Sequence, residues 1–240
     1  MIHVSIVLPT FNERGNICNL IEKIHRCFPP EYNYELVVVD DDSPDGTYNL
    51  VKHSYECDVR VVPVLRTSDR GFAKSIYEGI KRSRGDLLVI MDTDLTHDPL
   101  EIPNLLHVSK KYDVVSASRF CSGGKMTNKF HYISSFIYNI ALRLILRTQV
   151  QDNLGGYFVA RRSHILELAC EQIFIGYGEY YFRLLFALKK AGRSIVEIPA
   201  IYISRSHGHS KSKWLKMVFD YGYAALKFRF SCKNFSVTSK

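Results

Sequence analysis

The sequence predicts an α/β fold built on a mostly parallel central sheet flanked by helices, and three observations carry that expectation. Short apolar runs alternate with amphipathic stretches through the first half of the 240-residue chain. Runs such as Glu35-Leu36-Val37-Val38-Val39-Asp40 are almost wholly apolar, the pattern of strands buried on both faces. Three of these runs end in polar chemistry: Pro9-Thr10-Phe11-Asn12-Glu13, Asp40-Asp41-Asp42-Ser43 and Asp92-Thr93-Asp94. Ligands of open parallel sheets lie beyond the carboxyl ends of the strands, so this convergence marks the functional edge.

The elements follow in order. Strands are expected at 3–8, 35–40, 59–65, 86–91 and 113–118. Helices are expected at Asn16–Cys27, Gly46–Tyr55, Phe72–Arg84 and Pro99–Lys111; in the first, Ile17, Leu20, Ile21 and Ile24 recur at three and four. Pro99 suits a first helical turn, and Gly85 a helix C-cap. Further on, Ser122–Asn128 reads as a mobile loop and Phe130–Leu146 as an apolar segment with sparse charge. Gly155–Ala160 reads as a strand followed by a helix from Ser163, and Tyr180–Ala191 as a helix ended by Gly192. Ser194–Ile203 is expected as one strand, Ser204–Ser212 as a basic glycine/serine loop, and Trp214–Phe230 as an aromatic-rich amphipathic helix. One domain is expected over 1–212, with a helix and tail over 213–240 packed on it or on a membrane surface.

Composition narrows the classes. No apolar run reaches the ~18 residues of a spanning helix, and the first residues lack a basic leader, so no signal peptide is expected. Six cysteines (18, 27, 57, 121, 170 and 232) form no Cys-x-x-Cys pair, which favours reduced thiols in a cytosolic compartment. The formal charge of +8 points to polyanions, whether phosphates, anionic lipid or nucleic acid, without choosing among them.

Met91-Asp92-Thr93-Asp94-Leu95-Thr96-His97-Asp98-Pro99 carries the chemistry. Two carboxylates one residue apart, at a strand end before a helix, suit Mg2+ or Mn2+, which take oxygen ligands and bridge carboxylates to phosphates. The competing reading is that the aspartates cap the helix. Thr96 offers a neutral oxygen, whereas the His97 imidazole is a poor partner for magnesium and reads as structural. Asp40 to Thr47 has good turn chemistry, with Asp45 as a cap. Three adjacent carboxylates repel, however, and no basic residue lies between them, so an aspartate reading the N–H groups of a nucleobase is favoured. Arg119 closes the fifth strand, where an arginine at the sheet's carboxyl edge pairs with a nearby aspartate in the simplest reading.

In order and spacing these motifs resemble glycosyltransferase family 2, and within it the dolichyl- or polyprenyl-phosphate mannosyltransferases and their glucosyl relatives. The resemblance implies a GT-A nucleotide-diphospho-sugar transferase fold. It implies that Pro9, Phe11, Glu13, Val39 and Asp41 hold the nucleoside, and that Asp92, Thr93 through its backbone, and Asp94 hold the metal–diphosphate. Phe11 stands where tyrosine is frequent, which keeps ring stacking and loses a hydroxyl. Thr93 stands where alanine is frequent, and Thr96 where glutamine or serine is. The resemblance sets Arg119 against phosphate. It also gives Arg205 and Lys211, in the late basic loop, the task of clamping the donor diphosphate and acceptor phosphate; the competing reading is a solvated loop. His207 and His209 are too few for a metal site.

Family members with sugar acceptors usually carry a late Glu-Asp motif, and here Gly178-Glu179-Tyr180-Tyr181 offers only Glu179. A hydroxyl acceptor needs a base, whereas a lipid phosphate is already anionic. The expected reaction is therefore inverting, metal-dependent transfer of a hexose to dolichyl or polyprenyl phosphate, with no assigned general base and Arg119 as the charged partner beside Asp92 and Asp94. GDP-mannose is the favoured donor and UDP-glucose the alternative. Phe130–Leu146 and Trp214–Phe230 are either core helices or an interfacial surface. The second reading places the protein peripherally on the cytoplasmic face of a membrane, with a membrane-anchoring partner protein in place of a built-in anchor. Transfer to a saccharide hydroxyl is the second hypothesis. A non-catalytic basic module is the third; binding of nucleic acid is not expected, because the carboxylate clusters would repel a polyanion. No Gly-x-Gly-x-x-Gly follows the first strand, which argues against a nicotinamide cofactor.

Overall fold

The computed structural model describes residues 3–203 and 214–231. Its strands in chain order are β1 (His3–Thr10), β2 (Asn33–Asp40), β3 (Val61–Leu65), β4 (Leu87–Ile90), β5 (Val114–Ser118), β6 (Lys125–Met126), β7 (Phe158–Arg161), β8 (Ile195–Pro199) and β9 (Ile201–Tyr202). The helices are α1 (Ile17–Cys27), α2 (Thr47–Ser54), α3 (Phe72–Arg82), α4 (Ile102–Val108), α5 (Lys129–Leu146), α6 (Arg162–Leu166), α7 (Cys170–Ile173), α8 (Glu179–Lys190) and α9 (Trp214–Ser231). Seven strands form one sheet in the order β3-β2-β1-β4-β7-β5-β8, while β6 and β9 pair separately. Within the large sheet every neighbouring pair is parallel except those made by β7, which runs against both β4 and β5.

Strand alternation sends successive side chains to two different cores. Ile6 and Leu8 of β1 pack with Leu20, Ile21 and Ile24 of α1 and with Leu105 and Leu106 of α4. Val7, between them, faces Ile76 and Ile80 of α3 and shares its core with α8 and α9. The result is an α/β/α sandwich, and it explains why these strands read as unbroken apolar runs. At Gly79 a Cβ would lie 2.4 Å from Val7 Cγ1, so the bare glycine is what lets α3 approach β1.

The first-half elements fall where periodicity puts them, and the differences come later in the chain. The helix expected from Pro99 opens as a 3-10 turn over Pro99–Glu101, with Asp98 accepting from the Leu100 N–H at 3.0 Å, and α4 ends at Val108. The stretch expected as one strand over 194–203 is split. At Ala200 the chain donates to Ser118 O (3.0 Å) and accepts from the Lys125 N–H (3.0 Å), so it leaves the edge of β5 and takes up a new partner. That partner, β6, lies inside the segment read as a mobile loop. Beyond it, the Ile203 N–H donates to Thr96 O at 3.3 Å, which brings the small sheet down onto the Asp92–Asp94 turn. The helix α9 sets Tyr221 and Phe228 against Phe182 and Phe186 of α8.

Candidate functional site

The carboxyl ends of β1, β2 and β4 lie side by side, with Thr10 opposite Asp40 and Val7 opposite Ile90. Beyond Ile90 the chain makes a tight reversal in which Leu95, buried and not a glycine, takes a φ of 65°. A bulky residue in that region is uncommon and marks a turn held by its surroundings. Three contacts hold it. Thr93 Oγ1 donates to Pro9 O at 3.0 Å and ties the turn to β1. Asp94 Oδ1 accepts from the Thr96 N–H (3.1 Å) and from Thr96 Oγ1 (2.6 Å). The Asp92 N–H donates to His97 Nδ1 at 2.9 Å.

That last bond fixes the state of His97. A ring nitrogen that accepts from an amide carries no proton, so the imidazole is neutral with its hydrogen on Nε2. Burial agrees, pushing its pKa down to about 4 against the opposing pull of Asp94. The ring stacks on Tyr157 (centroids 4.9 Å apart) and meets Tyr202 edge-on, a wedge beneath the turn in line with its reading as structural.

Asp92 and Asp94 differ in setting. The Asp92 side chain is 35% exposed, whereas Asp94 is buried. Among the described residues no group of three or more His, Cys, Asp or Glu side chains converges. Two carboxylates and the Thr96 hydroxyl, which keeps lone pairs after donating to Asp94, form an all-oxygen donor set. That fits magnesium or manganese, which keep most positions for water and substrate phosphate.

At the other end of the edge, Pro9 and Val39 are cross-strand partners. The loop after β1 is laced to the loop after β2: the Asn12 N–H donates to Ser43 Oγ (2.9 Å), the Glu13 N–H to Thr47 Oγ1 (3.1 Å), and the Arg14 N–H to Asp45 Oδ2 (3.0 Å). Phe11 is left exposed, and Glu13 is braced by the Asn16 amide at 2.8 Å. Asp45 also takes the Thr47 N–H and hydroxyl; burial alone would raise its pKa, but these bonds and Arg14 hold it below the ordinary carboxylate value.

No basic residue lies between the three adjacent carboxylates in sequence, but the fold supplies partners for them in space. Asp40 is fully buried and accepts from Thr10 Oγ1 (2.9 Å), the Ser43 N–H (2.8 Å) and Ser43 Oγ (2.6 Å). Asp41 pairs with Arg66 and accepts from the Gly71 N–H at 2.7 Å, and Arg70 lies 3.6 Å from exposed Asp42. The cations come from the loop after β3, which pairing with β2 brings alongside.

Arg119 makes an ion pair with an aspartate, Asp152. Its Nε and Nη2 donate to the two oxygens of Asp152, each at 2.7 Å, and its backbone N–H donates to Oδ2 at 3.1 Å. The guanidinium lies 5.0 Å from the ring centres of both Phe120 and Tyr202. Burial works against its charge, but Asp152 outweighs that, and Asp92 adds to the pull. Asp152 is fully buried, and its N–H is held by Glu197 Oε1 at 2.8 Å. Neither Asp152 nor Glu197 stood out in the sequence, because the contacts that define them span 33 and 45 residues. Glu179 begins α8 and accepts from the Tyr177 N–H at 2.7 Å. Arg205 and Lys211 lie outside the described residues.

The sequence profile of glycosyl transferase family 2 matches residues 5–168, which span every motif of this edge through Asp152. The chain belongs to glycosyl transferase family 2. Family 2 relatives include a dolichol-phosphate mannosyltransferase of Pyrococcus furiosus, 34% identical over 228 residues, with 91% of this chain and 61% of that protein covered. An undecaprenyl-phosphate mannosyltransferase of Micrococcus luteus is 30% identical over 214 residues, covering 87% of this chain and 86% of the relative. The chain thus spans less than two thirds of the length of the Pyrococcus protein. Among solved structures, glucosyl-3-phosphoglycerate synthase from Mycobacterium tuberculosis, in complex with Mn2+, UDP and phosphoglyceric acid, superposes with a TM-score of 0.71 at 20% identity. That match covers 95% of this chain and 78% of the other, and it bears out the GT-A type of α/β fold.

Proposed function

We propose that the chain transfers a hexose from a nucleotide sugar to a polyprenyl or dolichyl phosphate, with GDP-mannose the favoured donor. The observation that carries this is the Asp92–Asp94 turn, fastened to Pro9 and set beside the loops that hold Phe11, Glu13 and Asp41. The names of the Pyrococcus and Micrococcus relatives support the lipid-phosphate acceptor.

In this reading the nucleoside lies against Pro9, Phe11, Glu13, Val39 and Asp41, and its diphosphate reaches the turn at Thr93. Asp92 and Asp94, with Thr96, would hold Mg2+ or Mn2+, which when bound neutralises the charge of the departing diphosphate. An acceptor phosphate oxygen forms the new bond to the anomeric carbon as the bond to the diphosphate breaks, inverting the centre. An anionic phosphate has no proton to surrender, so the reaction calls for no general base, and Glu179 is left holding the Tyr177 N–H at the start of α8. Arg119, steadied by Asp152, supplies positive charge beside Asp92, and Arg205 and Lys211 would close over the phosphates. We take 1–212 as the catalytic domain and 213–240 as a C-terminal helix and tail on that domain or on the membrane surface; its described part, Trp214–Ser231, packs on α5 and α8.

A donor panel tests this. Purified protein with a short-chain polyprenyl phosphate and Mn2+ is expected to form a lipid-phosphate-linked sugar from GDP-mannose ahead of UDP-glucose, and EDTA to stop it. Glycosylation of a saccharide without transfer to lipid phosphate would overturn the assignment.

Among the described residues no helix is long and apolar enough to cross a membrane. One face of α5 nevertheless exposes Ile133, Ile137, Ile140 and Leu144, the last at 73%, and α9 exposes Tyr223, Leu226 and Phe230. The two helices pack together, and Arg143, Arg147 and Lys227 accompany these stripes in sequence. We assign this face to the surface of an anionic bilayer, where apolar side chains enter the interface and basic ones meet headgroups. Ile137→Glu with Leu144→Glu should lower co-sedimentation with anionic vesicles about tenfold or more while nucleotide binding holds. Undiminished vesicle binding would remove the assignment.

A further inference from the structure

We infer that Arg66 is the residue that positions Asp41 as a reader of the donor base, and so sets discrimination among nucleotides. The inference rests on the reading of Asp41 as a base contact.

Asp41 follows the last residue of β2, where its N–H is already bonded to Thr10 O at 3.1 Å. An aspartate side chain at such a position samples several rotamers, and a ligand that used it would have to order it. Here the ordering is built in. Arg66 donates to Oδ1 and the Gly71 N–H donates to Oδ2, so both oxygens are pinned. Arg66 is itself held from several sides. Its N–H donates to Asp40 O at 2.8 Å, Nη1 also donates to Ser75 Oγ at 2.9 Å, and Nη2 donates to Asp69 O at 2.6 Å. Its side chain is 11% exposed and that of Asp41 7%, so the pair is shielded from solvent.

The fold dictates this placement. Leu65 pairs in register with Asp40, and Arg66 is the next residue, so the β2–β3 register delivers the guanidinium to the carboxylate one position past Asp40. A planar fork meets three acceptors at fixed angles, which an ammonium cannot do. A carboxylate has about four lone-pair sites, so the contacts from Arg66 and Gly71 leave acceptor capacity on each oxygen. A fixed acceptor selects bases with a ring N–H, guanine at N1 or uracil at N3. It rejects adenine, whose corresponding ring nitrogen is itself an acceptor and would leave buried groups unpaired.

The test is a set of dissociation constants for GDP, UDP and ADP with Mn2+, measured on the whole chain and on Arg66→Gln, Arg66→Lys, Ser75→Ala and Asp41→Asn. The unaltered protein should prefer GDP or UDP over ADP, and Arg66→Gln should shrink that ratio about tenfold, with ADP binding nearly unchanged. Arg66→Lys should recover part of the ratio and Ser75→Ala should lose a smaller part. A purely structural role would weaken all three nucleotides alike, and that result overturns the inference. So does a ratio that collapses in Asp41→Asn yet survives in Arg66→Gln. A ratio that survives in Asp41→Asn instead overturns the reading of Asp41. If Arg66→Gln does not fold, Ser75→Ala decides: an unchanged ratio there also overturns the inference.

Discussion

Asp92→Ala should reduce transfer to lipid phosphate by about a thousandfold or more, the scale on which removal of a preorganised electrostatic group acts. Asp92 projects from a turn whose backbone is fixed without its side chain, through His97 on its N–H and Thr93 on Pro9. Removing the carboxylate therefore leaves the turn intact. It also relieves repulsion with Asp94, so the melting temperature should move little. The measurement is sugar transfer across a manganese titration, alongside a thermal melt. A variant that keeps a tenth of the activity with its fold intact would refute the metal–diphosphate assignment.

The second large effect is on stability. Asp152→Ala removes the ion-pair partner of the buried Arg119 guanidinium and strands a charge that Asp152 now holds with two hydrogen bonds, besides a third to the Arg119 backbone N–H. Breaking one side of a buried pair costs about 3–5 kcal/mol. For a chain of this size that lowers the melting point by roughly 6–20 °C. Removing both partners should cost less than removing Asp152 alone, because no charge is then left unpaired. Differential scanning calorimetry on Asp152→Ala and on Arg119→Met with Asp152→Leu separates the cases. A single variant that melts within ~2 °C of the parent would mean Arg119 finds solvent or another partner.

What the sequence shows depends on whether the controlling contact is local. The strands β1, β2 and β4 were legible because burial on both faces leaves them mostly apolar, with Ser5 and Glu35 as buried exceptions bonded to each other, and α1 because its apolar residues share one face. The Asp92–Asp94 turn stands out because both carboxylates fall within three residues. Two kinds of feature were not legible. β6 and β9 are two residues long, too short for any periodicity, and the break at Ala200 is a hydrogen-bond exchange that no residue type announces. Ion-pair partners set by strand order also stayed hidden: Arg66 reaches Asp41 across 25 residues and Asp152 reaches Arg119 across 33. No basic residue lies among the three aspartates in sequence, yet Arg66 and Arg70 meet two of them in space.

The reversed strand β7 has a consequence in time. β1 to β4 are complete by residue 90, yet the outer edge of β4 gains its neighbour only when residues 158–161 arrive, and β5 has no partner in the sheet before then. Until some seventy further residues are made, a nascent chain lacks the strand that covers the open, apolar edge of β4. Such an edge is a template for wrong pairing. The insertion of β7 closes it, and the same event draws in the segment just before it, bringing Asp152 to Arg119. Protection of the nascent chain and completion of this ion pair thus depend on one late step in synthesis.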